Sequence, residues 1–321
     1  MIAAIVAFVV IVLGAYVRLS HAGLGCPDWP GCYGQLTWPT EVQEIREANE
    51  AFPERPVEAG KAWKEMVHRY LAGALVLLVV LINYLAWKHK PADRSARPLA
   101  AALLALILFQ AVLGMWTVTL KLFPLVVMGH LLGGLATFSL LLWLAWRSRP
   151  MAGDHDGMAY APYKTAGLTG LAVLLLQLAL GGWTSANYSA LACPDFPTCQ
   201  GQWWPDSNFR DGFVLWREIG VDYEGGVLDL PSRVAIHMAH RIGALVTFIV
   251  LGALSLALLA RRQTRTGGAL LGALLLAQVT LGVMNVWLFL PLPNAAAHNG
   301  TGALLLAAMV WLLHRSRPRF A

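Results

Sequence analysis

Four of the nine histidines occupy repeated positions in this sequence. The tetrapeptide Met-Val-His-Arg that contains His68 returns as Met-Ala-His-Arg around His240, and His130 returns as His298. Each of these histidines falls at the start of a long apolar run. A single membrane histidine is often only a hydrogen-bonding core group, but two equivalent pairs favour a function. Because imidazoles on facing helices can ligate one haem iron from both sides, we predict two bis-histidine haem sites.

Polar residues beside these histidines differ between the two copies. Glu65 stands three residues before His68, one helical turn away on the same face, whereas His237 holds the equivalent place before His240. A carboxylate near the edge of a macrocycle could exchange protons during catalysis. The alternative for Glu65 is an acid at a helix N-terminus, favoured by the helix dipole. For His237 we favour a supporting role over ligation, since His240 carries the repeated His-Arg pattern.

Two arginines directly follow the predicted ligands. Arg69 comes after His68, and Arg241 comes after His240. Haem carries two propionates, and the planar guanidinium binds carboxylates well. We therefore predict that both arginines contact haem, with ordinary interfacial arginines as the alternative.

The four cysteines form two pairs with the same spacing, Cys26 with Cys32 and Cys193 with Cys199. Both pairs fall in loops that we predict to lie on the oxidising side of a membrane, where disulfides persist. Zinc binding usually needs a tighter spacing, although four thiolates could combine. We predict two disulfides, each within its own loop, that either brace the loops or carry electrons.

The composition is that of a chain solvated mostly by lipid. It is 57% hydrophobic and 13% charged, against about 25% charged in a soluble domain. Eight apolar runs are long enough to cross a bilayer core of about 30 Å as helices. They span roughly residues 2–19, 67–87, 99–119, 126–146, 166–186, 236–260, 269–290 and 295–313. The first run could be a signal peptide, but its counterpart in mid-chain favours a retained helix.

Charges alternate along the chain and predict its orientation. Fifteen of the eighteen acidic residues lie in two stretches, 20–66 and 187–235. The basic clusters between them are Lys88, Lys90, Arg94 and Arg97; Arg147 and Arg149; Arg261, Arg262 and Arg265; and Arg315, Arg317 and Arg319. By the positive-inside rule, both termini are cytoplasmic and the two acidic loops lie outside. Each cluster abuts an apolar run, which argues against binding of nucleic acid.

The repeat extends over the whole chain. Gly-Cys-Pro-Asp-Trp-Pro-Gly-Cys at 25–32 recurs as Ala-Cys-Pro-Asp-Phe-Pro-Thr-Cys at 192–199, and Gln110 and Gly114 recur as Gln278 and Gly282. We therefore predict an all-α polytopic membrane protein, with eight transmembrane helices in two pseudo-symmetric four-helix bundles. The predicted boundaries are 1–150 for the first bundle, 151–165 for a cytoplasmic linker and 166–321 for the second bundle.

Two motifs and the paired histidines resemble bacterial haem A synthases over nearly the whole chain. The motifs are Ala-Gly-Leu-Gly-Cys-Pro-Asp-Trp-Pro at 22–30 and Glu-Met-Val-His-Arg at 65–69. The resemblance implies an oxidoreductase that converts the C8 methyl group of haem O to the formyl group of haem A by two hydroxylations, followed by loss of water.

The same resemblance assigns the two halves. It implies that His68 and His130 hold the substrate haem O, with Glu65 as the catalytic carboxylate. It implies that His240 and His298 hold a haem b that relays electrons.

Two other classes remain as alternatives. A b-type cytochrome would keep the four histidine ligands but would not need Glu65 or a replaceable haem. A membrane thiol–disulfide carrier would need the cysteines but not the histidine pairs, and a transporter or haem chaperone is a further alternative. For the enzyme, the expected partners are membrane lipid and an electron acceptor that the sequence does not identify. Because haem O is insoluble in water, a haem O synthase that docks on the protein is a further expected partner.

Overall fold

The computed structural model describes residues 1–89, 96–148 and 157–317 of the chain. Of the predicted features, Lys90, Arg94, Arg149, Arg319 and residues 151–156 of the linker lie outside this range. The described residues form helices and loops, with no β-strand among them. The helices are α1 (Ile2–Leu19), α2 (Val42–Ala51), α3 (Ala59–Lys88), α4 (Ala96–Thr119), α5 (Pro124–Arg147), α6 (Gly157–Tyr160), α7 (Lys164–Ala186), α8 (Phe209–Gly212), α9 (Leu230–Leu259), α10 (Arg265–Trp287) and α11 (Leu292–Arg315).

Eight of these helices are long and apolar enough to cross a membrane. They are α1, α3, α4, α5, α7, α9, α10 and α11, and each corresponds to one predicted span. These helices carry large apolar side chains on their outer surface; Leu77 is 71% exposed and Leu256 is 69% exposed. Such surfaces are stable in lipid and not in water. The predicted helical, multi-pass membrane fold is therefore confirmed.

Helices α3 and α9 begin earlier than the hydropathy pattern predicted. Helix α3 starts at Ala59 instead of residue 67, and α9 starts at Leu230 instead of residue 236. The added turns are polar, so an apolar window does not detect them. They are stabilised by contacts with the loops above; Ala62 and Met66 are buried in one cluster with Cys26.

The earlier helix starts correct the predicted depth of the histidines. We expected all four in the first turns of their helices. The structure instead places His68 and His240 in the third turns of α3 and α9, and His130 and His298 in the second turns of α5 and α11. Within the predicted linker, Gly157–Tyr160 form α6, Ala161–Tyr163 form a 3-10 turn and α7 begins at Lys164.

Helix contacts follow the repeat. Helix α1 contacts α3 and α5, and α4 also contacts α3 and α5. In the second copy α7 contacts α9 and α11, and α10 contacts the same two helices. The copies meet where α1 contacts α11 and where α5 contacts α7 and α11. This packing is compatible with the two predicted bundles.

One continuous apolar core joins the two copies. Ile11, Leu135 and Phe138 of the first copy belong to the same buried cluster as Leu306 and Met309 of the second. Lipid tails are as apolar as these side chains, so close packing of the helices, and not escape from water, stabilises this core. The shared core therefore fixes the position of the histidine helices of one copy against those of the other.

Candidate functional site

Each of the four repeated histidines packs against a glycine of a neighbouring helix. A Cβ atom on Gly14 of α1 would lie 2.9 Å from Cε1 of His68, and one on Gly181 of α7 would lie 3.2 Å from Cε1 of His240. A Cβ atom on Gly114 would lie 3.3 Å from Cε1 of His130, and one on Gly282 would lie 3.1 Å from Cε1 of His298. A larger residue at these glycines would displace the imidazoles. Both copies therefore make room for their rings in the same way.

The histidines of one copy also lie near each other. The imidazoles of His68 and His130 are close enough to interact electrostatically, and so are those of His240 and His298. All four residues are partly buried. Each copy thus brings its two imidazoles together, on α3 and α5 in the first copy and on α9 and α11 in the second.

Hydrogen bonds of the ring nitrogens differ among the four. The Nδ1–H of His298 donates to the carbonyl oxygen of Gln278 at 3.1 Å, and its Nε2 lies 3.4 Å from Nε2 of the same glutamine. Nε2 of Gln177 lies 3.0 Å from Nδ1 of His240 and donates to the His240 carbonyl oxygen at 3.1 Å. Nδ1 of His68 and Nδ1 of His130 are buried and make no hydrogen bond to the described residues.

These features fit a haem iron at each pair. A haem supplies four ligands itself, so the protein needs to provide only two axial imidazoles. Among the described residues, no three His, Cys, Asp or Glu side chains come together as a metal site would require. The glycines let each imidazole lie close against the backbone of a neighbouring helix, where a larger side chain would displace it.

A disulfide-closed loop covers the outer end of each copy. Cys26 pairs with Cys32 and Cys193 pairs with Cys199, with Cα–Cα distances of 4.8 and 4.6 Å. The predicted pairing is confirmed, and with all four thiols oxidised no thiolate is available for zinc. We call residues 25–34 the first cap and residues 192–201 the second cap.

An aspartate closes each cap. Asp28 accepts hydrogen bonds from the backbone N–H groups of Tyr33 and Gly34, both at 2.7 Å. Asp195 does the same with Gln200 at 2.5 Å and Gly201 at 3.0 Å. Because the aspartate makes the same turn contacts in both repeats, it is found after Cys-Pro in each cap.

Glu65 lies beneath the first cap. Its side chain accepts a hydrogen bond from the backbone N–H of Cys26 at 2.9 Å and an ion-pair hydrogen bond from Arg69 at 2.6 Å. The residue is only 4% exposed. A buried carboxylate is costly unless it is paired and hydrogen-bonded, and here both oxygens have a donor. The loop, the disulfide and the carboxylate therefore form one connected unit above His68.

Arg69 joins Glu65 to the first cap. Its guanidinium donates to the carbonyl oxygens of Asp28 at 3.0 Å and Pro30 at 3.3 Å, and also to that of Gly31. In the described residues its partners are thus the cap and Glu65. The predicted contact of Arg69 with a haem propionate stays a prediction.

His237 takes the place of Glu65 beneath the second cap. Its Nδ1 lies 3.3 Å from the backbone N–H of Cys193, and its Nε2 accepts a hydrogen bond from Arg241 at 3.2 Å. Arg241 also donates to the carbonyl oxygens of Thr198 at 2.7 Å and Asp195 at 2.7 Å. Because both ring nitrogens of His237 face the cap and Arg241, its placement supports a structural role rather than ligation.

Two contacts join the outer ends of the copies. Arg55 of the first acidic loop forms ion pairs with two residues of the second acidic loop, Asp222 and Glu224, the latter at 2.7 Å. Burial opposes the charge of Arg55, but these two carboxylates outweigh it and raise its pKa. Arg18 at the end of α1 donates to the carbonyl oxygen of Ser185 at 2.7 Å and lies 3.9 Å over the ring of Tyr188.

Sequence reasoning missed several of these residues. The spacing of Glu65 and Arg69 by four residues on one helix face was a signal for their ion pair. The contacts of Arg18 and Gln177 carried no such signal, because each depends on a helix distant in the sequence.

The fold and the site together define a polytopic membrane protein with two histidine pairs, each covered by a disulfide-closed cap. The chain belongs to the COX15-CtaA family, described as "Cytochrome oxidase assembly protein", which matches residues 1–310.

Similar proteins agree with this assignment over nearly their whole length. A protein of Shewanella oneidensis named "Heme A synthase" is 48% identical over 314 residues, 96% of this chain and 93% of that protein. A protein of the same name from Caulobacter vibrioides is 27% identical over 98% of this chain and 94% of its own. The resemblance drawn from the motifs is thereby confirmed.

Proposed function

We propose that the protein converts haem O to haem A. Two successive hydroxylations of the C8 methyl group give first an alcohol and then a geminal diol, which loses water to leave the formyl group. With water as the source of oxygen, each hydroxylation adds one oxygen atom and releases two protons and two electrons. An electron acceptor then takes four electrons in all. The single observation that carries this proposal is the buried carboxylate of Glu65 beside the first histidine pair, with no carboxylate at the equivalent place.

In this proposal the first copy, residues 1–150, holds the substrate. His68 and His130 bind the iron of haem O from its two faces. Gly14 and Gly114 let the imidazoles lie close against their backbones, which sets the position of both rings in the bundle. The orphaned Nδ1 atoms of both histidines leave their orientation to be set when haem O binds.

Glu65 would hold or move a proton at its carboxylate oxygens. Its two donors, Cys26 N–H and Arg69, fix the carboxylate in position and stabilise its charged form. Arg69 is therefore a positioning residue in this scheme. The first cap also excludes water, since Cys26 and Cys32 are buried against Met66 of α3.

The second copy, residues 166–321, would hold a haem b cofactor between His240 and His298. When bound, such a haem carries single electrons by changing the oxidation state of its iron. The Nδ1–H of His298 donates to Gln278, and Gln177 holds His240. The bond that His298 donates is of the kind that orients an axial imidazole and raises its basicity, whereas the amide of Gln177 holds the His240 ring in place.

The proposed setting is a bacterial cytoplasmic membrane, with both termini inside and the two caps outside. The distribution of basic residues supports this orientation. Haem O is insoluble in water, which supports direct transfer from a haem O synthase in the same membrane.

The test is pigment extraction after co-expression with a haem O synthase. We expect haem A in cells that carry both proteins and only haem O in cells that carry the synthase alone. An inactive control is the variant His68→Ala. Extracts that hold haem b and haem O but never haem A would favour the plain b-type cytochrome.

A further inference from the structure

Gln110 of α4 is a buried amide without a partner. It is 5% exposed, and neither its Oε1 nor its Nε2 makes a hydrogen bond to any described residue. It lies close to the middle of α4, where lipid offers no water to replace the missing partners. Leaving a buried amide unpaired is costly, so such a group calls for a physical reason.

A glycine makes room for this amide. A Cβ atom on Gly133 of α5 would lie only 1.8 Å from Nε2 of Gln110, so any larger residue would expel the amide. Gly133 follows His130 by three residues and lies on the same helix face. Gly114, one turn along α4 from Gln110, contacts the ring of His130. The amide therefore lies one turn from His130, on the side nearer the middle of the membrane.

The equivalent glutamine of the second copy is in a different environment. Nε2 of Gln278 lies 3.4 Å from Nε2 of His298, and its side chain is only partly buried. The backbone carbonyl oxygens face the histidines alike in both copies, Gln278 with His298 and Gln110 with His130, so the difference lies in the side-chain amides. Gln278 thus supports an imidazole through Nε2 and leaves only its Oε1 unpaired, whereas neither polar atom of the Gln110 amide has a partner among the described residues.

We propose that the amide of Gln110 binds the hydroxyl group of haem O, the alcohol at the base of its farnesyl chain. This inference rests on the proposed function. A hydroxyl both donates and accepts, and a primary amide offers the matching acceptor and donors. Haem B carries a vinyl group at that position and would leave the amide unpaired. A site built to bind a hydroxyl rejects the analogue that lacks it, so Gln110 selects haem O over haem B.

The position of Gln110 suits that ligand. The farnesyl chain is apolar and is solvated best by the membrane interior, while the propionates favour the polar outer end. Gln110 lies on the interior side of His130, so the base of the farnesyl chain and its hydroxyl fall at the depth of the amide.

The test compares haem preference in the full-length protein in nanodiscs. Haem O and haem B are titrated separately, and binding is followed by the low-spin absorption of bis-histidine haem. We expect the wild type to prefer haem O and Gln110→Leu to lose about tenfold or more of that preference. The loss should fall on haem O, with haem B unchanged or slightly tighter. The control Asn83→Leu, which removes an amide far along α3 from His68, should keep the wild-type preference.

Two further variants keep the test decisive. Methionine has nearly the same shape as glutamine, so Gln110→Met replaces Gln110→Leu if the latter does not fold. Haem b retained in the second copy is the criterion for folding. Gly133→Ala should displace the amide and reduce the preference in the same way. If the variants weaken haem O and haem B equally, Gln110 only orients His130 and the assignment is wrong.

Failure of this inference can be distinguished from failure of the proposed function. Wild-type protein that makes no haem A from haem O would overturn the proposed function. Wild-type protein that makes haem A, with Gln110 variants that keep the full preference for haem O, would overturn the hydroxyl assignment alone.

Discussion

Glu65 and His237 stand at the same place in the two copies and make the same two contacts. Each faces the backbone N–H of the first cysteine of its cap, Cys26 or Cys193, and the arginine one turn later in its own helix. The surrounding structure is thus repeated, while the side chain at its centre is a carboxylate in one copy and an imidazole in the other. A duplicated scaffold can keep its ligands and differ in its chemistry through one buried residue.

The two copies also differ below the caps. In the second copy the histidines are held, His240 by Gln177 and His298 by the Gln278 carbonyl. In the first copy Nδ1 of His68 is unpaired within the described residues, and His130 faces the Gln110 carbonyl oxygen without a well-formed hydrogen bond. A permanent cofactor benefits from fixed ligands, whereas a substrate that enters and leaves benefits from ligands that can move. The structure of each pair therefore supports the proposed assignment of the halves.

The largest expected effect separates the copies by their histidines. His240→Ala or His298→Ala should remove tightly bound haem b. His68→Ala or His130→Ala should abolish haem A formation but leave haem b in place. Absorption spectra of purified protein and extracted pigment measure both quantities. If His68→Ala strips the haem b and His240→Ala retains it, the halves are reversed.

The next effect concerns the carboxylate itself. Glu65→Gln keeps the shape of the side chain but cannot accept a proton, so haem A formation should fall by about 10²–10⁴, the usual contribution of general acid–base catalysis. Haem binding should persist. Chromatography of the extracted pigments measures the loss and would also detect an alcohol that accumulates before the second oxidation.

A matched control for Glu65→Gln exists in the second copy. His237→Gln places the same amide beneath the second cap and should change haem A formation far less. Equal activity of Glu65→Gln and wild type would make Glu65 a structural acid and favour the cytochrome.

A third comparison tests the arginines beneath the caps. Arg69→Gln would leave the buried carboxylate of Glu65 without its cation, which typically costs about 3–5 kcal/mol in the free energy of unfolding. Arg241→Gln would leave only the neutral ring of His237 with fewer partners, a cost of roughly 1–3 kcal/mol. Thermal unfolding in nanodiscs should therefore show the larger fall in Tm for Arg69→Gln. A rescue by the double variant Arg69→Gln with Glu65→Gln would identify the unpaired charge as the cause.

Much of this arrangement could be predicted from the sequence. The spans follow from hydropathy, because each crosses lipid as one apolar helix. The internal repeat identified the equivalence of His68 with His240 and of His130 with His298 before any helix was packed. The disulfides followed from spacing and from the predicted side of the membrane.

The rest depends on contacts between distant segments. The polar first turns of α3 and α9 are helical because the caps pack on them, and no apolar pattern predicts that. The bond from Cys26 to Glu65 joins a loop to a helix across 39 residues. The unpaired state of Gln110 becomes visible only when Gly133 of α5 is packed against it.

The smallest expected effect distinguishes the two caps. Asp195 accepts hydrogen bonds from the Thr198 hydroxyl and from the backbone N–H groups of Gly201 and Gln200. These bonds, that of Thr198 first, lower the pKa of Asp195 below its usual value. Their contribution to stability is therefore complete above the ordinary pKa of aspartate, and it is lost as the pH falls through the lowered value. The first cap has Gly31 in place of Thr198 and lacks this hydroxyl.

Replacement of the hydroxyl tests this account of the second cap. Thr198→Ala should raise the pKa of Asp195 towards that of a free aspartate, so the second cap should loosen at a higher pH than in the wild type. Thr198→Ser keeps the donor and should keep the low pKa. Carbon-13 NMR of labelled aspartate carboxyl groups would measure the titration, with Asp195→Asn to identify the resonance. Asp195 is partly exposed and the solvent screens its interactions, so haem A formation at neutral pH should be nearly unchanged. An unchanged titration in Thr198→Ala would show that the backbone donors alone hold the carboxylate, as the two backbone donors of Asp28 do in the first cap.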